Sequence, residues 1–552
     1  MPKKPRSKTR EARRVEDAPV RISERFAWVL VAIAIVFVGA IRIRLLNIPL
    51  ERDEGEFAYM GQLMLQGIPP YKLAYNMKLP GIYMAYALVL GIFGQSIAAV
   101  HIGLLIANSI AVVLLFLIAK RLFDPLTSAI AAGVFAFLSV GAPVLGTSGH
   151  ATQYVLPFAL GGILMLLKGI ESGKPMSFVW SGLLLGIGVL MKQHAALFVV
   201  FAALYLIWGQ SRAKPARWGR ILGNTGIIVG SAVVPFLLTC LWLYLAGVFR
   251  NFWFWTFTYA REYVSEVPYR YAIAIFASSC GPIVGAAVWI WTIAGIGLTA
   301  IIWSAKARSK WAFILGFTVF SFLAICPGFF FRSQYWVLFL PAVGLLTGVA
   351  VGSATELLTK SRSGRALEIA PIMILAVAML LAISEQSTFL FHATPYQACR
   401  MMYTANPFPE SILISKYIRE HSKKDDLVAV LGSEPQVYFY ALRHSATGYI
   451  YMYGLMEDQP YASEMQQNMI REIEAAKPRY IVFVNVSTSW LVTRNSDTTI
   501  IKWTNEYLAR HYRTVGLMDM ISENETRSYW GKEAASIEPQ GYYVCALERK
   551  PE

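Results

Sequence analysis

Apolar runs of membrane-spanning length recur along this chain, and a run that enters lipid must satisfy its backbone polar groups within a helix. They fall at about 26–47, 97–119, 126–146, 152–170, 178–208, 221–248, 281–303, 311–330, 335–352 and 367–388. The run 178–208 exceeds one crossing and is broken by Lys192-Gln193-His194, which predicts a two-helix hairpin and about eleven spans in all. Only 15% of the 552 residues are charged, against about 25% in soluble domains, so the chain reads as an α-helical polytopic membrane protein. A net charge of +16 would point to nucleic acid if the cations formed one patch. They do not. Nine lie in the first twenty-five residues and most others in short loops between apolar runs, the positive-inside pattern.

That pattern fixes an expected topology. The segment 81–94 has only fourteen apolar residues, a length typical of interfacial or re-entrant segments. If it does not cross, the basic loops share one side with the N-terminus. These carry Lys120 and Arg121; Lys168 and Lys174; Arg212, Lys214, Arg217 and Arg220; Lys306, Arg308 and Lys310; and Lys360, Arg362 and Arg365. If it crosses, all of them flip outward. The expected organisation is therefore a basic cytoplasmic N-terminus (1–25), a transmembrane domain (26–390) with an outer loop at 48–96, and an extracytoplasmic domain (391–552). No small-residue cleavage site follows the first apolar run, which reads as a retained span. In the last domain 426–432, 478–486 and 541–547 read as strands, and 461–477 and 500–511 as helices, a small α/β unit. Cys399 and Cys545 lie there, and the sequence leaves open whether they bond. The five cysteines form no C-x-x-C zinc spacing.

The loop 48–96 starts with PLERDEGEFAYMGQ, four carboxylates at the point where the chain leaves the membrane, and continues to NMKLPG. One reading is structural: Asp53 and Glu56 form a helix N-cap pair ahead of the apolar face Phe57, Met60, Leu63 and Met64, and Gly67 with Pro69-Pro70 ends that surface helix. It leaves Glu54 and Lys78 unexplained. The other reading is chemical. At a lipid–water boundary a carboxylate can act as general base on a hydroxyl, and a nearby lysine can neutralise a phosphate leaving group. Sugar transfer from a lipid-linked phosphosugar needs that pair. The chain contains no Asp-x-Asp, the metal signature of many transferases that use nucleotide sugars.

Four stretches carry a resemblance: RDEGEFAYMGQ, GIPPYKLAYNMKLPGIYMAYALVLGIFG, GVLMKQHAALFVV (188–200) and FFFRSQYWVLFLPAVGLL (329–346). In this order they resemble the GT-C superfamily of integral-membrane glycosyltransferases, in particular the aminoarabinose transferases of lipid A and the protein O-mannosyltransferases. The resemblance covers residues 20–390 and implies Asp53 as the acceptor's base with Glu54 beside it. Lys78 is implied as the donor-phosphate contact, with Lys192 and Arg332 as further phosphate ligands. Simpler roles compete: Lys192 can snorkel at a hairpin tip, Arg332 can mark a membrane boundary, and Tyr335 can belong to an aromatic belt.

The chain departs from the family at GTSGHATQYVLPF. A second outer carboxylate is common there, and His150 and Gln153 stand instead, read as sugar or acceptor contacts together with Tyr335. No metal is assigned, and no cofactor is implied with certainty. The aromatic loop 251–271 reads as lying on lipid rather than on sugar.

The expected function is inverting transfer of a sugar from a polyprenyl-phosphate carrier to a glycan, glycolipid or protein at the outer face of the plasma membrane. The alternative is a transporter or flippase of lipid-linked sugars. Transporters gather ionisable residues near the bilayer midplane, whereas here the charges collect at one face. A non-catalytic relative is a third reading, kept by the missing second carboxylate. The sugar, the carrier and the acceptor have no readable code.

Overall fold

The structure, a computed structural model, describes residues 22–212, 215–361 and 364–551. Most of the basic N-terminus (residues 1–21), with Lys214 and Arg362, lies outside the described residues. The chain opens with helices α1 (Glu24–Arg44), α2 (Arg52–Leu65), α3 (Gly81–Phe93), α4 (Ile97–Leu122), α5 (Pro125–Leu138), α6 (Ala151–Ser172), α7 (Pro175–Met191) and α8 (Ala196–Ser211). Side-chain oxygens of Ser23, Ser96 and Asp124 cap α1, α4 and α5 by accepting the N–H three residues on.

Seven described helices are long and apolar enough to cross a bilayer: α1, α4, α6, Gln193–Ser211, Trp218–Leu245, Leu340–Lys360 and Arg365–Glu385. An eighth would be the pair Tyr269–Gly285 and Val288–Trp303, bent by 106° where the sequence predicts one continuous span. α5, α7 and Trp311–Leu323 fall below spanning length by themselves. The reason is visible at 126–146, where α5 stops at Leu138 and the apolar run continues as a 3-10 turn at Ala142–Val144. Hydropathy continues past the end of the helix. At about 1.5 Å per residue the thirteen residues of α3 reach about 20 Å, short of a hydrocarbon core of about 30 Å.

Close helix contact comes from small residues. On Leu340–Lys360, Gly344, Gly348 and Gly352 recur every fourth position, and a Cβ on any of them would come within 2.5 Å of an atom of α5. Lipid supplies no hydrophobic drive between helices, so backbone approach of this kind carries the packing.

Beyond helices Pro395–Tyr403 and Phe408–His421 lies a five-stranded sheet with strands β1 (Val428–Leu431), β2 (Tyr480–Asn485), β3 (Tyr512–Met520), β4 (Thr526–Trp530) and β5 (Tyr542–Arg549). Its order is β1-β2-β5-β3-β4, with β1 and β2 parallel and the other pairings antiparallel. Helices Ala462–Ala476 and Thr499–His511 accompany it. Cys399 and Cys545 are both buried free thiols, so no disulfide joins them.

This domain docks directly on α2. Arg52 gives one N–H to the Ser433 carbonyl and another to the Glu434 carboxylate, both at 2.8 Å, in a buried ion pair. Gly55 lets the helix at Gln436 approach, since a Cβ there would meet the Gln436 backbone at 2.6 Å. Tyr75 N–H donates to the Gly448 carbonyl at 2.7 Å. Glu434→Ala would leave Arg52 buried and unpaired, a loss of about 3–5 kcal/mol that should lower the unfolding midpoint in detergent. Arg52→Met with Glu434→Leu should lose less. Equal losses would place the cost in packing and not in unpaired charge.

Candidate active site

At the N-terminus of α2 the carboxylates of Glu51, Glu54 and Glu56 are buried and that of Asp53 is half-buried, and each has its own partners. The helix cap is Glu51, not Asp53. Its side chain accepts the Glu54 N–H at 2.9 Å, and Glu54 accepts the Glu51 N–H at 3.3 Å in return. Asp53, one turn position inside, is thereby left free of capping. It accepts from the Lys78 ammonium at 2.7 Å and from the Tyr451 hydroxyl at 3.2 Å.

Glu54 does not face the cavity described below. It is fully buried, and Oε1 accepts the Gly149 N–H at 2.5 Å and lies 3.1 Å from His101 Nε2. The other His101 nitrogen lies 2.7 Å from the Leu46 carbonyl. Glu54 thus ties α2 to α4 and to the link before His150, and the expected catalytic role gives way to a positioning one. Both of its oxygens already have partners.

Glu56, which the sequence offered only as a capping partner, is a second seat for Lys78, at 2.5 Å, and also accepts from Asn76 (2.9 Å) and Tyr83 (2.5 Å). Lys78 reaches this seat because Tyr71, held at φ 65, donates its hydroxyl to the Lys78 carbonyl at 2.6 Å. Two carboxylates hold the ammonium, and one of its three N–H donors remains.

Asp53 and Lys78 face a cavity of about 910 Å³. Asp53, Lys78, His150, Lys192, Arg332 and Tyr335 all line it, together with Glu51. Gln153 does not. It is buried on α6, and neither end of its amide has a partner among the described residues. Lys192 sits over the Tyr335 ring at 3.9 Å, and Arg332 donates to the Tyr263 hydroxyl at 3.3 Å. The aromatic loop is not confined to lipid: Trp255, Tyr259 and Tyr263 line the cavity, while Trp253, Tyr269 and Tyr271 are exposed. The C-terminal domain supplies Tyr451, Tyr453 and Glu457, residues with no readable motif.

His150 occupies the place where the family pattern calls for an acid. Its Nδ1 lies 3.5 Å from Glu51 and 3.7 Å from Asp53, and makes no hydrogen bond. Donor atoms of Glu51, Asp53 and His150 fall within 4.8 Å of one another. This set of oxygens and one imidazole nitrogen, with the nitrogen unpartnered, fits a divalent cation where the sequence assigned none. Such an ion would supply charge stabilisation to a phosphate oxygen.

The electrostatics follow from burial and neighbours. Burial pushes the Glu51 carboxyl up to about 7, against the pull of His150. Burial acts on Asp53 in the same sense, but Lys78 and His150 outweigh it and hold that carboxyl well below its usual range. Lys192 is half-buried near Lys78 and Arg332, and desolvation first, then those cations, lower its ammonium to about 7 against the pull of Asp53.

A family profile described as dolichyl-phosphate-mannose-protein mannosyltransferase matches residues 78–242. A crystal structure of ArnT from Cupriavidus metallidurans bound to undecaprenyl phosphate superposes with a TM-score of 0.55 at 15% identity, covering 95% of this chain and 98% of that one. At that identity the likeness shows a shared fold. The archaeal oligosaccharyltransferase AglB from Archaeoglobus fulgidus, in complex with an inhibitory peptide and a dolichol-phosphate, shares the fold with a TM-score of 0.52 at 12% identity, over 96% of this chain and 76% of that one. An undecaprenyl phosphate-alpha-4-amino-4-deoxy-L-arabinose arabinosyl transferase of Pseudomonas aeruginosa is 29% identical over 259 residues. That match spans 44% of this chain and 44% of the relative, less than half of each.

The Lys192 ammonium, lowered to about 7, loses its charge progressively as pH rises through that value. Affinity for undecaprenyl phosphate in nanodiscs should therefore fall several-fold from pH 6 to pH 8. Lys192→Arg, charged throughout, should show only the phosphate's own titration. Identical profiles for the two proteins would remove Lys192 from the phosphate site.

Proposed function

We propose that this chain transfers a sugar from a polyprenyl-phosphate-linked donor to a glycan, glycolipid or protein acceptor with inversion at the anomeric carbon. The observation that carries the reading is the Asp53–Lys78 pair, 2.7 Å apart and facing a cavity whose wall also bears Lys192 and Arg332. An acid able to accept a proton and three cations able to receive a phosphate face one space. Apolar and aromatic residues make up much of the remaining wall, as a lipid-linked substrate requires.

In this mechanism the acceptor hydroxyl attacks the anomeric carbon, its proton passes to Asp53, and the bond from that carbon to the phosphate oxygen breaks. The phosphate leaves with the bonding pair, and Lys78, Lys192 and Arg332 stabilise its growing charge. A carboxylate held far below its usual range is a weak base, so Asp53 gains basicity as Lys78 turns toward the phosphate. Charge developing on the donor thereby strengthens the base acting on the acceptor. His150 and Tyr451 orient the Asp53 carboxylate, and Tyr335 and the loop aromatics border the sugar.

The basic loops support a cytoplasmic N-terminus, with the cavity and residues 391–552 on the outer side of the plasma membrane. The rival transporter reading gains no support from the site, because its ionisable residues gather at the ends of helices and in links. Radiolabelled polyprenyl-phosphate sugars supplied to membranes would identify the acceptor by which product gains label.

Asp53→Asn should lower turnover by about two to four orders of magnitude with donor binding kept. Because Glu51 is the cap, this change leaves α2 intact. Glu51→Gln keeps an accepting oxygen at the cap and should cost far less. Lys78→Met should lower the maximal rate as well as donor affinity, and Lys78→Arg should keep part of both. A wild-type rate for Lys78→Met at saturating donor would reduce Lys78 to a lipid anchor.

A further inference from the structure

The C-terminal domain holds a second recess, of about 610 Å³, that shares no residue with the cavity around Asp53. One wall is a face of helix Thr499–His511, where Trp503, Tyr507 and His511 recur every fourth residue and so align on one side. The Trp503 and Tyr507 rings are stacked, with centroids 4.7 Å apart and planes 18° from parallel, and the His511 ring follows 4.9 Å from Tyr507. Trp503 commits its indole N–H to Glu474 at 2.8 Å, which fixes the ring's orientation at the rim. The facing wall comes from the end of the chain after β5. There Lys550 donates to the Ala509 carbonyl at 2.7 Å and to the Arg510 carbonyl at 3.3 Å, which sets its ammonium over the helix C-terminus. Arg510 is exposed beside it and has no ion pair among the described residues.

We propose that this recess is a glycan-binding groove for an anionic oligosaccharide, separate from the site of sugar transfer. The C–H faces of a pyranose pack on flat aromatic rings, and half-buried Trp503, backed by the buried Tyr507 ring, offers one such face fixed in orientation before any ligand arrives. The recess is lined by Lys477, Arg510, Arg549 and Lys550 against Glu474 and Glu506, a net positive wall on which Arg510 and Lys550 meet the carboxylates or phosphates of an acidic sugar. Guanidinium and carboxylate match in a bidentate fork, which a neutral glycan cannot offer. The recess volume falls within the range of small-molecule sites, about 300–1,000 Å³. Such a groove would hold a polymeric acceptor by one segment and raise the effective concentration of its reacting end at the transfer site. That consequence rests on the proposed transfer activity; the binding itself does not.

The test uses the full-length protein in phosphatidylcholine nanodiscs and saturation-transfer NMR, with trigalacturonic acid as the probe and neutral maltotriose as its control. Trigalacturonate should receive saturation on its ring protons, weaken with added salt, and exceed maltotriose at least several-fold. Trp503→Ala should abolish the signal. Arg510→Glu, a change at an exposed position that leaves the core untouched, should reduce it at least tenfold. Asp53→Asn should leave it unchanged, because the groove is separate from the cavity. Equal signals from both sugars, persistence in both groove variants, loss in Asp53→Asn, or no transfer to either sugar would each overturn the proposal. None of these readings requires turnover, so an inactive transferase would not obscure the result.

Discussion

Four carboxylates within six residues at a helix N-terminus cannot be buried unless each is given a partner. The helix dipole favours negative charge at that end, but its contribution of about 0.3–1 kcal/mol is small beside the cost of desolvating an unpaired carboxylate. The partners therefore come from far apart in the chain. Glu51 faces His150 before α6, Asp53 and Glu56 share Lys78, and Glu54 is met by His101 of α4 and the Gly149 amide. Arg52, inside the same acidic run, reaches outward to Glu434. Satisfying one short acidic segment thus ties together three parts of the membrane region and the C-terminal domain.

The same requirement separates chemistry from support within the run. Glu51 and Glu54 spend acceptor capacity on each other's backbone N–H groups, and Asp53 between them is left facing open space. Lys78 neutralises the site without filling it. With Lys78 held by Asp53 and Glu56, Lys192 and Arg332 leave the cavity wall net cationic before any ligand enters.

Much of this was legible because hydropathy and loop charge act over long windows. The spans near 26–47, 97–119, 152–170 and 221–248 lie on long helices, and the break at Lys192-Gln193-His194 is a real turn between two helices. The 106° bend at 286–287 was not legible, because apolar residues continue through it. Asp53, Lys78, Lys192, Arg332 and Tyr335, drawn from the four motifs, line one cavity, and His150 joins them from the link where the chain departs from the pattern. The cap was misread because aspartate is the commoner capping residue, and here glutamate has the longer reach to the N3 amide. Gln153 was chosen by its place in a link and points elsewhere. Tyr451 and Glu457 lie about four hundred residues from Asp53, in a stretch whose tyrosines read as ordinary core. Strands β3 and β4 escaped because polar residues interrupt any clean alternation in Tyr512–Met520 and Thr526–Trp530.

The Arg52–Glu434 pair joins residues 382 positions apart. At translation rates of about 5–20 residues per second, that interval takes about 20–75 s to synthesise. Throughout it the acidic helix has no C-terminal domain to dock on, and the cavity lacks Tyr451, Tyr453 and Glu457 from its wall. A ribosome-bound chain therefore has its lysines and its carboxylates in place but no closed chamber in which to use them. The wall of the cavity is complete only once the last domain has been made.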